Sequence, residues 1–365
     1  MTVPESWRQA ALSPPPAWGG PLATGVLRAT PEDFRVDEIL GFEASGTGPH
    51  ALLRVRKRSA NTEWVARELA RAAACKPFEV GYAGLKDRHA VTTQFFTVPR
   101  GKRAADEFLG VSGEGFEVIE SAEHQRKLPR GALEGNRFEI TVREFRADPR
   151  ALEHRMQQLR TGGVPNYFGE QRFGRDAGNL AAVWGEAQRL AARADGGDDR
   201  DRRGNRGGRG GDDRGFMLSA ARSLVFNAIL SERVRRGDWN RLLRGDVANL
   251  DGRGSVFAVP EVDEVLAARC TSQEVHPTAP LLGEGESLAR EGVRELEEAV
   301  AANFPEALAV IGAARMNAER RALRIRVRDL EHSFVGEVLT VRFALSAGSF
   351  ATTVLREILA GASGE

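Results

Sequence analysis

The sequence has little of what would assign it quickly. Its 365 residues hold two cysteines, Cys75 and Cys270, far apart and in no C-x-x-C spacing. That argues against a structural zinc site or a thioredoxin-like motif, and the pair reads as reduced, buried thiols in a reducing compartment. The six histidines fall in no H-E-x-x-H or comparable spacing, so no metal is expected. Gly283-Glu284-Gly285-Glu286-Ser287 is not followed by Gly-Lys-Ser/Thr, which removes a phosphate loop. No stretch approaches the ~20 apolar residues of a membrane span. The opening MTVPESWRQAALSPPP lacks a basic start followed by an apolar run and is no secretory signal. A soluble, cytoplasmic protein is expected. A net charge of +1 also lacks the basic excess that advertises a nucleic-acid binder.

What is present is enough for a core. Hydrophobic residues make up 41% of the chain, and the length suggests about two domains. Charged residues reach 28%, with arginine well ahead of lysine, so basic surface can still be concentrated locally.

After an irregular lead-in with Pro14-Pro15-Pro16 and Gly19-Gly20, alternation begins. Phe34 and Val36 oppose Arg35 and Asp37, and Leu53 and Val55 oppose Arg54 and Arg56. Asn61 reads as a helix N-cap, with Glu63 in the first turn and Val65 and Leu69 on one face. Val80 to Gly84 and Gln94 to Val98 read as short strands, and Phe138, Ile140 and Val142 alternate with Glu139, Thr141 and Arg143. The texture changes at Gly162-Gly163-Val164-Pro165. Residues 194–214, rich in Gly, Arg and Asp, cannot bury enough apolar area to offset their ordering entropy, so disorder is expected there. Ser219 reads as the cap of a long helix ending at Arg233, Arg235, Arg236 and Gly237. Strand patterning returns where Leu323, Ile325 and Val327 alternate with Arg324, Arg326 and Arg328, and again at Val338 to Phe343. Ser349 then reads as the cap of a final helix carrying Val354, Leu355, Ile358 and Leu359. A strand-rich start, a helical middle and a strand-rich end predict one sheet domain interrupted by an insert.

Local chemistry singles out no residue. Lys86-Asp87-Arg88 between two short strands ordinarily reads as a solvated turn. The alternative is a carboxylate whose charged form the flanking cations favour. Phe34 and Phe138, alternating with Val and Ile, ordinarily read as core, and Asn136 after Gly135 as a turn residue. Arg54, Arg56, Lys57 and Arg58, and the Arg324, Arg326, Arg328 stripe, would suit phosphates as well as a solvated face.

Several longer segments, taken in order, do more. Val80-Gly81-Tyr82-Ala83-Gly84-Leu85-Lys86-Asp87-Arg88-His89-Ala90-Val91-Thr92 resembles the signature of TruD-type tRNA pseudouridine synthases. Pro31-Glu32-Asp33-Phe34, Gly135-Asn136-Arg137-Phe138 and Val164-Pro165-Asn166-Tyr167-Phe168-Gly169-Glu170-Gln171-Arg172-Phe173-Gly174 are similar to the same family. So are Leu218-Ser219-Ala220-Ala221-Arg222-Ser223 and Ala347-Gly348-Ser349-Phe350-Ala351-Thr352. Ordered long motifs are far more specific than one short pattern.

The resemblance implies an α+β fold, with a mixed, mostly antiparallel sheet as catalytic domain (1–160 plus 319–365) and an inserted α/β TRUD domain (161–318). It implies an isomerase, an intramolecular transferase that converts uridine to pseudouridine without a cofactor, at the uridine numbered thirteen of tRNA. The tRNA would lie in a cleft between the domains. Apart from the resemblance, a monomer without membrane association is expected, and no protein partner can be inferred. Asp87 corresponds to the catalytic aspartate, acting as nucleophile or as base on a nucleotide taken out of its stack. Phe34, Asn136 and Phe350 match positions that contact the base, with Phe138 beside them and Lys86 and Arg28 as further substrate-binding residues. Arg28 sits where relatives tend to carry lysine, which keeps the charge but changes the geometry. Two rivals remain: a non-catalytic RNA-binding or RNA-folding protein, and a hydrolase pairing Asp87 with His89.

Overall fold

The computed structural model describes residues 3–194 and 211–361. The tract expected to be disordered lies, for its residues 195–210, outside the described residues. The chain forms two compact units. One comprises Ala23–Met156 and Val327–Ala351, the other Met1–Leu22, Gln157–Arg326 and Thr352–Glu365.

The first unit is built on a ten-stranded sheet. Its strands are β1 (Val26–Leu27), β2 (Phe34–Ile39), β3 (His50–Arg58), β4 (Gly81–Tyr82), β5 (Val91–Pro99), β6 (Ser112–Gly113), β7 (Phe116–His124), β8 (Gly135–Arg143), β9 (Arg328–Val335) and β10 (Val338–Ser346). The spatial order is β9-β10-β8-β2-β5-β3-β7-β6, with β1 on β8 and β4 on β5. β2 and β5 run parallel and the other pairs antiparallel. The mixed, mostly antiparallel sheet implied above is therefore present. Alternation sets its faces: Phe34, Val36 and Glu38 of β2 lie opposite Ile140, Phe138 and Asn136 of β8, and on the far side of β8 come Val341, Phe343 and Leu345 of β10. Phe138 stacks on Phe343 at 5.3 Å and meets Phe34 edge-on at 6.3 Å. Gly135 is required where β8 begins, because a Cβ there would stand 2.2 Å from the Leu345 carbonyl oxygen.

Helix Thr62–Ala72 starts after Asn61, as expected, although the Asn61 side chain makes no capping bond. It buries Val65, Ala66, Leu69 and Ala70 against a cluster with Leu53, Val55, Phe96 and Val118. Val65 and Leu69 each contribute about 1.5–3 kcal/mol on leaving water.

The second unit surrounds the helix Gly211–Arg236. Ala220, Ala221, Leu224, Val225, Phe226 and Leu230 are all fully buried in it, so it is covered on every side rather than on one stripe. Helices Glu5–Leu12, Gly178–Ala194, Glu291–Ala301 and Pro305–Ala314 pack on it. A four-stranded sheet of Val256–Ala258, Val247–Leu250, Val275–Leu281 and Glu319–Ala322 completes the unit.

Three expectations change here. The long helix begins at Gly211, so Ser219 is interior to it, where its hydroxyl accepts a bond from Arg172. The lead-in is not irregular throughout, since Glu5–Leu12 is a helix with Trp7 buried edge-on against Trp184 at 5.4 Å. Both ends of the chain group with the middle segment rather than with the sheet. The Glu357 carboxylate accepts from the backbone N–H groups of Ala17 and Trp18, Trp18 Nε1 donates to the Gly163 carbonyl, and Tyr167 donates to that of Pro15.

Candidate active site

Asp87 lies in the loop between β4 and β5, and that loop is held from below by buried polar side chains. Gln94 of β5 donates to the Gly84 carbonyl, and Thr62 donates to Gln94 while accepting the Lys86 N–H at 3.1 Å. Lys57 of β3, only 1% exposed, donates to the carbonyls of Ala60 at 3.0 Å and Asp87 at 3.1 Å and lies 3.5 Å from that of Lys86. Burial pushes the Lys57 ammonium down to about 8, against the opposing pull of Asp87. The backbone that carries Asp87 is thus fixed at several points.

The carboxylate itself is oriented by two donors. Arg28 Nη2 lies 2.7 Å from Oδ2, and the backbone N–H of His89 donates to Oδ1 at 2.9 Å. Arg28 reaches it from a left-handed backbone, φ +55°, a conformation uncommon outside glycine and typical of constrained sites. Its guanidinium also lies over the Phe34 ring, 4.3 Å from the centroid. Asp33 steadies this approach: its carboxylate takes two bonds from Arg143 of β8 and one from the Thr30 N–H, and Arg143 holds its carboxyl below the usual range.

The cation beside Asp87 is therefore Arg28, not the flanking Lys86 or Arg88. Arg88 is exposed. Lys86 turns inward, its side chain 7% exposed, to lie 3.1 Å from Glu38 Oε2 and to donate to Asn136 Oδ1 at 2.7 Å. Burial pushes the Glu38 carboxyl up while Lys86 pulls it back. His89 meets Asp87 through its main chain, so the contact is no catalytic dyad.

Arg28, Phe34, Asp87 and Phe138 are thus joined by named contacts, and Lys86, next to Asp87 in the chain, is bonded to Asn136. Phe34 and Phe138 are buried. Phe350 is 42% exposed beyond the end of β10. The register of β10 with β8 sets Leu345 opposite Asn136 and Ser346 opposite Gly135, so the segment leading to Phe350 leaves the sheet at the end where Asn136 sits.

Glu38, Lys57, Thr62 and Gln94 are the supporting residues that sequence reasoning missed. Lys57 had a signal, because it continues the inward series Ala51, Leu53, Val55. It leaves the basic cluster for the other face, and Arg54, Arg56 and Arg58 pair with Glu120, Glu117 and Glu32 at 2.6, 2.8 and 2.6 Å. The Arg324, Arg326, Arg328 stripe also dissolves. Arg324 is buried, bonded to His276 and to the carbonyls of Asn240, Cys270 and Val275, while Arg328 pairs with Glu134. No group of three or more metal-ligating side chains occurs among the described residues, and no helix among them is long and apolar enough to cross a membrane.

Residues 17–185 and 214–358 match the family model for tRNA pseudouridine synthase D (TruD). The chain is 43% identical over 351 residues to the tRNA pseudouridine synthase D of Xanthomonas campestris pv. campestris (strain B100), covering 94% of each. It is 44% identical over 348 residues to that of Nitrosococcus oceani, covering 94% of this chain and 93% of the other. The crystal structure of a Methanosarcina mazei protein described as tRNA pseudouridine synthase D superposes with a TM-score of 0.78 at 24% identity, over 98% of both chains, and carries the same fold.

Proposed function

The chain belongs to the tRNA pseudouridine synthase D (TruD) family, and on that footing we propose that it isomerises uridine to pseudouridine in tRNA, at position thirteen, with Asp87 as the essential carboxylate. The observation that carries this reading is the setting of Asp87, a partly exposed carboxylate held by Arg28 and the His89 N–H on a loop pinned from beneath by Lys57, Thr62 and Gln94.

The reaction breaks the C1′–N1 bond, turns the base and joins C1′ to C5. The proton lost from C5 is balanced by one gained at N1, so neither oxidant nor cofactor is consumed. A carboxylate serves as nucleophile toward sugar or base, or as base toward a sugar proton. Each Asp87 oxygen keeps a second lone pair for that purpose. The target uridine must leave its stack to reach Asp87, and Phe34, Asn136, Phe138 and Phe350 are the residues we assign to receive it. The protein acts in this reading as a cytoplasmic monomer with tRNA as its partner.

Replacing Asp87 by Asn tests the assignment. Pseudouridine, mapped in unmodified tRNA with a reagent that marks it, should fall by at least about a thousandfold while tRNA affinity stays within about twofold. Undiminished turnover in that variant would remove Asp87 from the mechanism, and pseudouridine at another position would correct the target.

A further inference from the structure

Glu38 of β2 and Asn136 of β8 are register partners on one face of the sheet, and Lys86 joins them. Its Nζ lies 2.7 Å from Asn136 Oδ1 and 3.1 Å from Glu38 Oε2. An ammonium donates and never accepts, so the amide oxygen is the atom turned toward Lys86 and the nitrogen is turned away. That nitrogen makes no hydrogen bond among the described residues and stays open to solvent. Lys86 is not at liberty to leave. The Glu38 side chain is fully buried and neither of its oxygens meets a well-aligned donor among the described residues, so the nearby ammonium is its main compensation, and separating them would strand a buried charge.

We infer that Glu38 and Lys86 are positioning residues that lock Asn136 as a hydrogen-bond donor, so that the pocket selects a nucleobase presenting a carbonyl oxygen over one presenting an amino group. The inference rests on the reading of the chain as a uridine isomerase. Uracil and cytosine differ along one edge, where a carbonyl and an N–H stand in place of an amine and a bare nitrogen. A reader that only donates complements the first and meets another donor in the second, which leaves a buried N–H unpaired. A freely turning amide offers an acceptor as readily as a donor and discriminates poorly. Selectivity therefore lies in the lock behind Asn136 and not in Asn136 alone.

The test uses the full chain carrying Asp87→Asn, so that uridine is not consumed, and two tRNA transcripts with uridine or cytidine at the modified position. Without further change, the uridine transcript should bind about tenfold more tightly, the difference expected of one hydrogen bond won or lost in a desolvated site. Adding Lys86→Met should cut that preference to about twofold, and adding Glu38→Gln should cut it by less. Asn136→Asp is isosteric and survives any folding defect of the Lys86 variant. Lys86 then takes one carboxylate oxygen and the other points outward, so the preference should invert toward cytidine. A Lys86→Met protein that keeps the full tenfold preference, or an Asn136→Asp protein that still favours uridine, would overturn the inference. Absence of pseudouridine in tRNA treated with the unaltered enzyme would instead strike the isomerase reading, since the base preference is read by binding alone.

Discussion

In the helix-rich unit, the guanidinium of Arg233 is closed off on all sides. Nε pairs with Asp238 at 2.5 Å, Nη1 with Asp246 at 3.0 Å, and Nη2 donates to Asp246 and to the carbonyls of Asp238 and Arg241. Arg320 is likewise matched by Glu297 and Thr278. In the sheet unit, burial is as deep but the accounts stay open. Among the described residues, Lys57 has carbonyls and no carboxylate within ion-pair distance, and the Glu38 oxygens have only Lys86. A saturated cluster has no capacity left for a ligand and serves the fold. An unsaturated one costs stability, and proteins keep such arrangements where the geometry does something else. Here the open network lies directly under Asp87.

That contrast is broken most severely by Arg233→Met. It leaves Asp238 and Asp246 buried without their cation, and the cost expected is about 3–5 kcal/mol, read from urea unfolding. Turnover per folded molecule should be unchanged. If turnover fell in protein shown to be folded, the closed cluster would have a function and the distinction would fail.

Lys57→Met is the complementary experiment. Removing a charge that burial already disfavours offsets the loss of its hydrogen bonds to carbonyls, so stability near neutral pH should move by no more than about 1 kcal/mol. Turnover should fall about a hundredfold, because displacing a reacting group by about 1 Å has that effect. Titration provides a second reading. The ammonium loses its proton near 8 in the folded protein but near 10.5 when unfolded. Between those values the unfolded chain holds the extra proton, so this group makes stability rise with pH across that window, by up to about 3 kcal/mol. Unfolding measured at several pH values should show the rise in the unaltered protein and its loss in Lys57→Met.

The inward position of Lys57 was written into the period-two pattern Ala51, Leu53, Val55, Lys57, as was that of Glu38 in Phe34, Val36, Glu38. Charge masked both, since a lysine beside arginines invites a surface reading. The strand faces of Phe34, Leu53 and Phe138 were legible for the same periodic reason. The pairing of strands was not. The parallel β2–β5 contact and the meeting of Arg28 with Asp87 depend on contacts between segments distant in sequence, which no local pattern encodes. The Arg324 run failed differently: the alternation was real, but the turn at Asn240 and the last turn of helix Glu264–Thr271, at Cys270, supply carbonyls that bury one arginine and turn a supposed grip into a core residue.

The smallest effect is expected on the exposed side of β3, where Arg54 and Arg56 face Glu120 and Glu117 on the neighbouring strand. All four side chains are substantially exposed, so a double-mutant cycle on either pair should return about 0.2–1 kcal/mol. The consequence for RNA is sharper than that for stability. A guanidinium that already holds a carboxylate adds little net positive charge, and a phosphate must displace the glutamate to gain from it. Arg54→Gln and Arg56→Gln should therefore leave tRNA affinity within about twofold, and each should leave the dependence of log affinity on log salt nearly unchanged. A true phosphate contact would reduce that slope by about one. If either substitution removes a full unit of slope, the ladder opens when RNA binds, and satisfaction within the free protein would mark structural charges only where they are buried.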